Sequence, residues 1–346
     1  NVNRRHQMTK QSNEIQSISD LTQILKELGE PIHGKTRFFR GHAVQTWQIL
    51  PSIYREQYLI ENEDKIIKDA LTYCPDDFSP NDTLFEKLVK LQHYGYATRL
   101  LDLTTNALVA LYFACNKEEH HKELGEFIIF DIPDTKIKYG DSDTVAILAA
   151  LSFRNKDFDF SEYMRNSDII SNREITEKAL DEIHLTIQRM KTLESLKVLN
   201  PDIEKLLQTN ETKQLVNLDT MKLLNFNKQN EVISLIHDVR TDKPSFRPAI
   251  EPEDLTRVLC VRAKLNNDRI SRQQGCFLLF GINNKKCNPA EIPDDWKRLP
   301  TKGKRFIVRN KRQIMQELKA FGISRQVLFP ELESQAQEIM SQYKPK

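Results

Sequence analysis

Apolar residues recur along this chain in two rhythms, one of three and four positions and one of two, so helices and strands are expected to alternate. Leu21, Ile24, Leu25 and Leu28 share one helical face, behind Ser19 as N-cap and ahead of Gly29 as terminator. Thr36-Arg37-Phe38-Phe39-Arg40 then reads as a strand. A polar helix is expected around Glu61 to Tyr73. A second runs from an Asp82 cap through Leu84, Leu88 and Leu91 to Gly95. Leu108, Leu111 and Tyr112 give the next helix an apolar face. Glu126 to Ile132, Arg257 to Arg262, Cys276 to Phe280 and Arg305 to Arg309 have the composition of strands. An Asn310-capped helix carrying Ile314, Leu318 and Phe321 stops at Gly322, and a last helix follows Pro330.

Glycine punctuates this pattern unevenly: none occurs from 141 to 274. That interval carries Ile175, Ala179, Leu180, Ile183, Ile187 and Met190 at helical spacing, which reads as a helical insertion. The Pro244-to-Pro252 segment returns the chain as an extended connection, since proline disfavours helix at the residue before it. The expected organisation is an N-terminal helical segment over 1–35, the first part of a core over 36–141, a helical insertion over 142–243 and the second part of the core over 244–346. The fold class is α+β, a central, mostly antiparallel sheet with flanking helices.

Composition narrows the function classes. The 346 residues include 51 Lys+Arg against 49 Asp+Glu, a formal charge of +2, so no global field demands nucleic acid or an anionic membrane. The five cysteines are odd in number, widely spaced and free of any C-x-x-C pair, which speaks against a disulfide framework or a structural zinc site. No apolar run reaches the roughly 20 residues of a membrane span, and the first residues lack the apolar stretch of a leader. A cytoplasmic location with no membrane partner is the expectation. There is no P-loop, no G-x-S-x-G and no H-E-x-x-H.

Candidate chemistry concentrates between Gln92 and Ala114, where titratable, hydroxyl and aromatic groups lie between two apolar helices. Arg99 and Asp102 stand three apart among Leu100, Leu101 and Leu103, which draws both charges towards low dielectric, where a charge needs a partner or a ligand. Thr98, Thr104, Asn106 and Asp102 are placed to cap the following helix, whose free amides suit an anion. The alternative is an internal Arg99–Asp102 network joining two elements. His93 is available for proton transfer and Tyr94 for stacking on a flat ring. Arg40 ends a hydrophobic strand before Gly41, leaving a planar donor fork for phosphate or carboxylate, or for a structural ion pair. Arg269, Arg272, Gln273 and Gln274 approach the Cys276 strand and share a cleft with Arg40 if their strands are neighbours. His120 and His121, adjacent on the chain, read as a solvated turn, and no metal site is expected. The basic residues Lys302, Lys304, Arg305, Arg309, Lys311 and Arg312 read as surface, which disfavours nucleic acid without excluding it.

Phe39-Arg40-Gly41, Trp47 through Arg55, Gln92 through Ala114, Arg269 through Phe277 and Leu328-Phe329-Pro330-Glu331-Leu332 together resemble the bacterial FRG domain. The chain departs from that pattern at Ala97, where proline is common, and at Leu103, where tryptophan is common. The resemblance implies a protein associated with bacterial defence against phage or with mobile elements. The order of parts also resembles ADP-ribosyltransferases. In that likeness Arg40 anchors NAD, Thr98 or Thr104 supplies second-strand hydroxyls, and Gln273 or Gln274 stands at the third-strand position, commonly a glutamate. The leading expectation is therefore a polar cleft for a nucleotide such as NAD, with Arg40 on phosphate, Arg99 and Asp102 shaping the pocket, and Tyr94, Thr98, Thr104 and Gln273 in contact. For ADP-ribosyl transfer or NAD hydrolysis, Asp102, His93 and Gln274 are the candidate catalytic residues. Two other readings stay open: a non-enzymatic sensor or protein-interaction module contacting a protein target or phage component, and a nucleic-acid binder.

Overall fold

The computed structural model describes residues 13–172, 181, 185, 218–247, 249–264, 267–300 and 305–332, and positions 335, 336, 339, 340 and 343. The expected helical face from Ile175 to Met190 and the basic stretch 302–304 lie outside the described residues.

The strands are β1 (Glu14–Ile15), β2 (Lys35–His42), β3 (Leu100–Thr104), β4 (Gly125–Pro133), β5 (Ile137–Tyr139), β6 (Val258–Arg262), β7 (Gly275–Phe280), β8 (Ile282–Asn283), β9 (Lys285–Pro289), β10 (Lys297–Arg298) and β11 (Phe306–Val308). Nine of them form one sheet in the order β1-β11-β4-β2-β3-β7-β6-β5, with β10 paired to β4, while β8 and β9 form a separate pair. The pairings of β1 with β11 and of β5 with β6 are parallel. The rest of the nine-stranded sheet is antiparallel, which gives the mixed sheet of an α+β fold.

Period-two alternation sorts the side chains. Phe38, Leu101, Leu103, Phe130 and Leu278 point to one face, under Ile292 and Trp296. The other face carries two clusters of helices. On one side α1 (Ile18–Leu28), α5 (Ala107–Cys115) and α10 (Lys311–Ala320) bury Leu21, Val109 and Ile314 against Phe39 and Ile129. On the other, α4 (Leu84–His93), α6 (Asp143–Ala150) and α8 (Asn230–Asp242) bury Leu88, Leu148 and Leu235 against Leu100, Leu259 and Leu279. The two clusters flank the junction of β2 and β3.

That junction is where the sheet opens. β2 pairs with β4 from Lys35↔Pro133 to His42↔Glu126, and β3 pairs with β7 from Leu100↔Leu279 to Thr104↔Gly275. Between β2 and β3 the register holds a single pair, Phe39↔Thr104. Past it, Arg40 and His42 on one side and Asp102 on the other have no ladder partners across the gap.

Several local expectations need correction. α1 is capped by Ser17 rather than Ser19: Ser17 Oγ accepts the Asp20 amide at 3.2 Å, because buried Ile18 belongs to the helix. α4 begins behind Thr83 rather than Asp82. Thr83 and Glu86 form a reciprocal capping box, and Asp82 instead accepts the Ser79 amide at 2.8 Å. α5 is not amphipathic but buried nearly all round, since it lies directly on β2. Gly41 makes this approach possible. A Cβ there would overlap the Ala110 carbonyl oxygen and stand 2.6 Å from the Ala114 nitrogen.

All five cysteines are free. Among the described residues no helix is long and apolar enough to cross a membrane, and no cluster of His, Cys, Asp or Glu is arranged to hold a metal.

Candidate functional site

The opening between β2 and β3 continues into a cavity of about 500 Å³. Its floor is Arg40, His42, Asp102 and Thr104, and its walls are Val89, Gln92 and His93 of α4, Ala110 and Phe113 of α5, and Ile270 and Gln273 of α9 (Asp268–Gln273). Trp47, Arg55, Lys117 and Arg269 complete the rim. Four of these residues, Arg40, Arg55, Lys117 and Arg269, are cations, against the single carboxylate of Asp102.

Arg40 fills the place of missing sheet hydrogen bonds. Its Nη1 donates to the Asp102 carbonyl at 2.7 Å, and its Nε donates to His42 Nε2 at 2.9 Å. Nη2 makes no hydrogen bond to a described residue. Burial lowers the Arg40 pKa to about 10, with Asp102 working the other way, so the guanidinium stays charged at neutral pH. His42 accepts at Nε2, so its proton is assigned to Nδ1. Nδ1 is buried without a hydrogen bond and lies 4.0 Å from Glu126 Oε2. Burial first, and then Arg40, Arg55 and Arg305, push the His42 pKa down to about 3. The imidazole is therefore neutral, and it locks the Arg40 fork in orientation.

The Asp102 carboxylate reaches the cleft as an exposed group held from one side, where Gln92 Nε2 donates to Oδ1 at 2.8 Å. Gln92 is oriented in turn by Thr98, whose buried hydroxyl donates to Gln92 Oε1 and accepts the Leu100 amide at 3.2 Å. Thr98 thus acts on the site through Gln92 and does not line it. Thr104 lines the floor with its hydroxyl engaged: it donates to the Gln273 carbonyl at 2.7 Å and accepts the Asn106 amide at 3.0 Å. The Asn106 side chain caps α5. Arg269 guanidinium stacks over Phe329 at 4.7 Å, and Gln273 Nε2 donates to the Leu328 carbonyl at 3.0 Å, which ties the cleft wall to the C-terminal segment.

Arg40, His93, Asp102, Thr104 and Gln273 therefore line one cleft, whereas Tyr94, Thr98, Arg99 and Gln274 do not line it. Tyr94 is exposed at the end of α4. Gln274 adopts the left-handed conformation that ends α9, which turns its side chain to accept from the Thr105 hydroxyl at 3.3 Å.

Arg99 is the largest correction. It makes no pair with Asp102. It lies wholly buried, with Nε donating to Glu63 Oε1 at 2.9 Å, Nη2 donating to Glu63 Oε2 and Nη1 donating to the Phe280 carbonyl at 3.1 Å. Lys286 completes the cluster, 2.8 Å from Glu63 and donating to the carbonyls of Leu151 at 2.6 Å and Arg154 at 2.7 Å. Burial alone would raise the Glu63 carboxyl, but Arg99 and Lys286 outweigh it and hold it below the ordinary range. Burial brings Lys286 down to about 8 despite Glu63. Every charge in this cluster has a partner, so it joins α3 (Glu63–Tyr73), β3 and β9 as a structural network.

Glu63, His42, Arg55, Trp47 and Lys117 carry no local pattern that marks them for these sites. Glu63 looks like an ordinary first-turn acid, and its partner is 36 positions away. Trp47 and Arg55 lie in a segment with neither helical nor strand rhythm.

Residues 35–123 match the family model of the FRG domain. The chain carries an FRG domain. No curated protein and no solved structure matches the chain. The likeness to ADP-ribosyltransferases thus has no solved fold behind it. The Phe-Arg-Gly motif of this FRG domain has a local physical meaning: Phe39 buries under α5, Arg40 occupies the strand opening, and Gly41 lets α5 lie against β2. The matched FRG segment supplies β2, α4, β3 and α5, while the wall built from α9 and β7 lies beyond residue 123.

Proposed function

We propose that the FRG cleft binds NAD and cleaves its nicotinamide–ribose bond, passing ADP-ribose to an acceptor or to water. The observation that carries this reading is the Arg40 guanidinium, fixed in the strand opening with Nη2 bonded to no described residue, beside Asp102, the one carboxylate among the described residues that line the cleft. A planar cationic fork on the floor, with Arg55, Lys117 and Arg269 around it, suits a pyrophosphate. Trp47 and Phe113 add aromatic faces for a base, and about 500 Å³ is within the range of small-molecule sites. Asp102 would stabilise the positive charge that develops on the ribose as nicotinamide leaves. Gln92 holds that carboxylate in position. The role expected of Gln274 passes to Asp102. The setting in bacterial anti-phage defence is supported by the family resemblance alone.

The test is incubation of the full chain with NAD, followed by mass spectrometry of nicotinamide and of ADP-ribose products, with calorimetry for binding. Asp102→Asn should retain binding and lose turnover by roughly a hundredfold or more, as for removal of one preorganised electrostatic group. Arg40→Lys should weaken NAD binding about tenfold or more, because an ammonium cannot replace the fork. No heat of binding for NAD or ADP-ribose, together with no nicotinamide release, refutes the proposal.

A further inference from the structure

We propose that Glu331 positions His93 as the general base of this cleft, which makes the acceptor of ADP-ribose a hydroxyl group, either water or an alcohol. The inference rests on the NAD-cleaving reading above and deepens it. Glu331 Oε1 lies 3.2 Å from His93 Nε2, across an interface between the end of α4 and the C-terminal segment. Both Glu331 oxygens are shielded from solvent, and neither accepts a hydrogen bond from a described residue. A shielded carboxylate without a hydrogen bond is costly, and the imidazole in contact with it is the group that relieves the cost when it turns or takes up a proton. Catalytic hydrogen bonds in ligand-free proteins are often misaligned in this way and tighten on binding.

His93 is in the right place for the task. It lines the cleft together with Asp102 and Gln92. Its backbone carbonyl accepts from Arg269 Nη1 at 3.5 Å, and its ring meets Tyr94 edge-on at 5.2 Å. Burial first, and then Arg269 from α9, lower His93 below the ordinary histidine value, while Glu331, the other charged group bearing on the ring, works against them. A neutral imidazole at neutral pH is a base. With Nε2–H turned to Glu331, Nδ1 is the acceptor.

The step balances. An acceptor oxygen attacks the anomeric carbon of the ribose while the carbon–nitrogen bond breaks, and its electron pair goes to nicotinamide, which leaves neutral. The hydroxyl proton passes to His93, and Glu331 stabilises the imidazolium. Water gives ADP-ribose, and an alcohol gives its glycoside. A hydroxyl is a weak nucleophile until its proton is taken, and with Asp102 assigned to the charge on the ribose, His93 is the base that lines the cleft.

The experiment has two arms. In the first, the full chain with 15N-labelled histidine is titrated by NMR, with His93→Gln to assign the signal, and compared with Glu331→Gln and Glu331→Asp. Loss of the carboxylate should move the His93 midpoint to lower pH and reduce the Nε2–H tautomer, and Glu331→Asp should restore part of both. An unchanged His93 titration in Glu331→Gln overturns the pairing. In the second arm, NAD is supplied with and without methanol and products are weighed by mass spectrometry. Free ADP-ribose and, with methanol, its methyl glycoside are expected. Glu331→Gln should lower kcat by roughly tenfold to a hundredfold with KM little changed, a part of what a general base contributes. The acid limb of its pH–rate profile should shift down with His93. Adducts confined to amines, or full kcat in Glu331→Gln, overturn the proposal. If the wild-type chain does not turn over NAD, the parent reading fails, while the NMR arm still decides the Glu331–His93 pairing.

Discussion

The substitution His42→Gln tests the electrostatics of the cleft floor directly. His42 is buried, accepts from Arg40 Nε, and has its pKa lowered from 6.5 to about 3, chiefly by burial. Below pH 6.5 the unfolded chain binds a proton that the native state refuses, so stability falls as pH falls, and the loss completes only below about pH 3. Over that whole interval the cost is about 5 kcal/mol, and by pH 5 it is already about 2 kcal/mol. Glutamine places an oxygen where Nε2 accepts, which preserves the Arg40 contact, but it does not titrate. Urea unfolding at pH 8 and pH 5 should therefore show the wild-type chain losing about 2 kcal/mol more than His42→Gln. The difference isolates His42, because Glu63, Glu126 and the surface carboxylates titrate in both chains. Equal losses would refute the picture of a neutral imidazole locked against Arg40.

Glu63→Gln should cost about 3–5 kcal/mol, read as a fall in the urea midpoint, because Arg99 and Lys286 are left buried without a counter-charge. Gly41→Ala should cost more than the usual 1–3 kcal/mol of overpacking, since the new methyl meets α5 backbone rather than a movable side chain; a calorimetric melt checks it. Arg40→Ala strands the Asp102 carbonyl and His42 Nε2, so about 1–3 kcal/mol of stability should go with the loss of NAD binding. A melting loss with binding intact would make Arg40 a scaffold residue. Thr98→Val frees the Gln92 amide that holds Asp102, and should lower turnover more than it weakens NAD binding.

The fold was legible where local chemistry decides it. The unbroken apolar runs Phe38-Phe39 and Cys276 through Phe280 mark strands that are buried on both faces, and Gly29 ends α1 where a left-handed residue is required. The cleft was half legible for the same reason. Asp102 and Thr104 share one face of β3 by period two, and His93 and Gln273 end helices that abut it, whereas Arg40 has the parity of Phe38 and reaches the cleft through the strand opening. What local pattern cannot encode is which of two neighbouring polar residues meets a distant partner. Arg99 and Asp102 are three apart and equally charged in magnitude, yet the strand sends them to different fates. Arg99 stands just before β3, where Glu63 and Lys286 converge, and Asp102 stands within β3, where the sheet parts. Gln273 and Gln274 differ by one left-handed residue, which sends one side chain to the cleft wall and the other to Thr105.

The opening between β2 and β3 ties these points together. Two antiparallel strands normally close by laddering, and each unmade ladder bond near the core needs another partner. Here the Arg40 side chain supplies the donor that the Asp102 carbonyl lacks from β2, and His42 takes up the remaining Nε–H. The gap is therefore held apart by satisfied hydrogen bonds, with Gly41 pinning β2 against α5 on one side and the Glu63–Arg99–Lys286 cluster fixing the start of β3 on the other. A rigid frame of this kind keeps Arg40 Nη2 and the Asp102 carboxylate at a fixed separation before any ligand arrives, so little reorganisation is left for binding. The same arginine can hold the sheet open and offer a free edge to an anion, because a guanidinium has five donors and the protein uses only part of them.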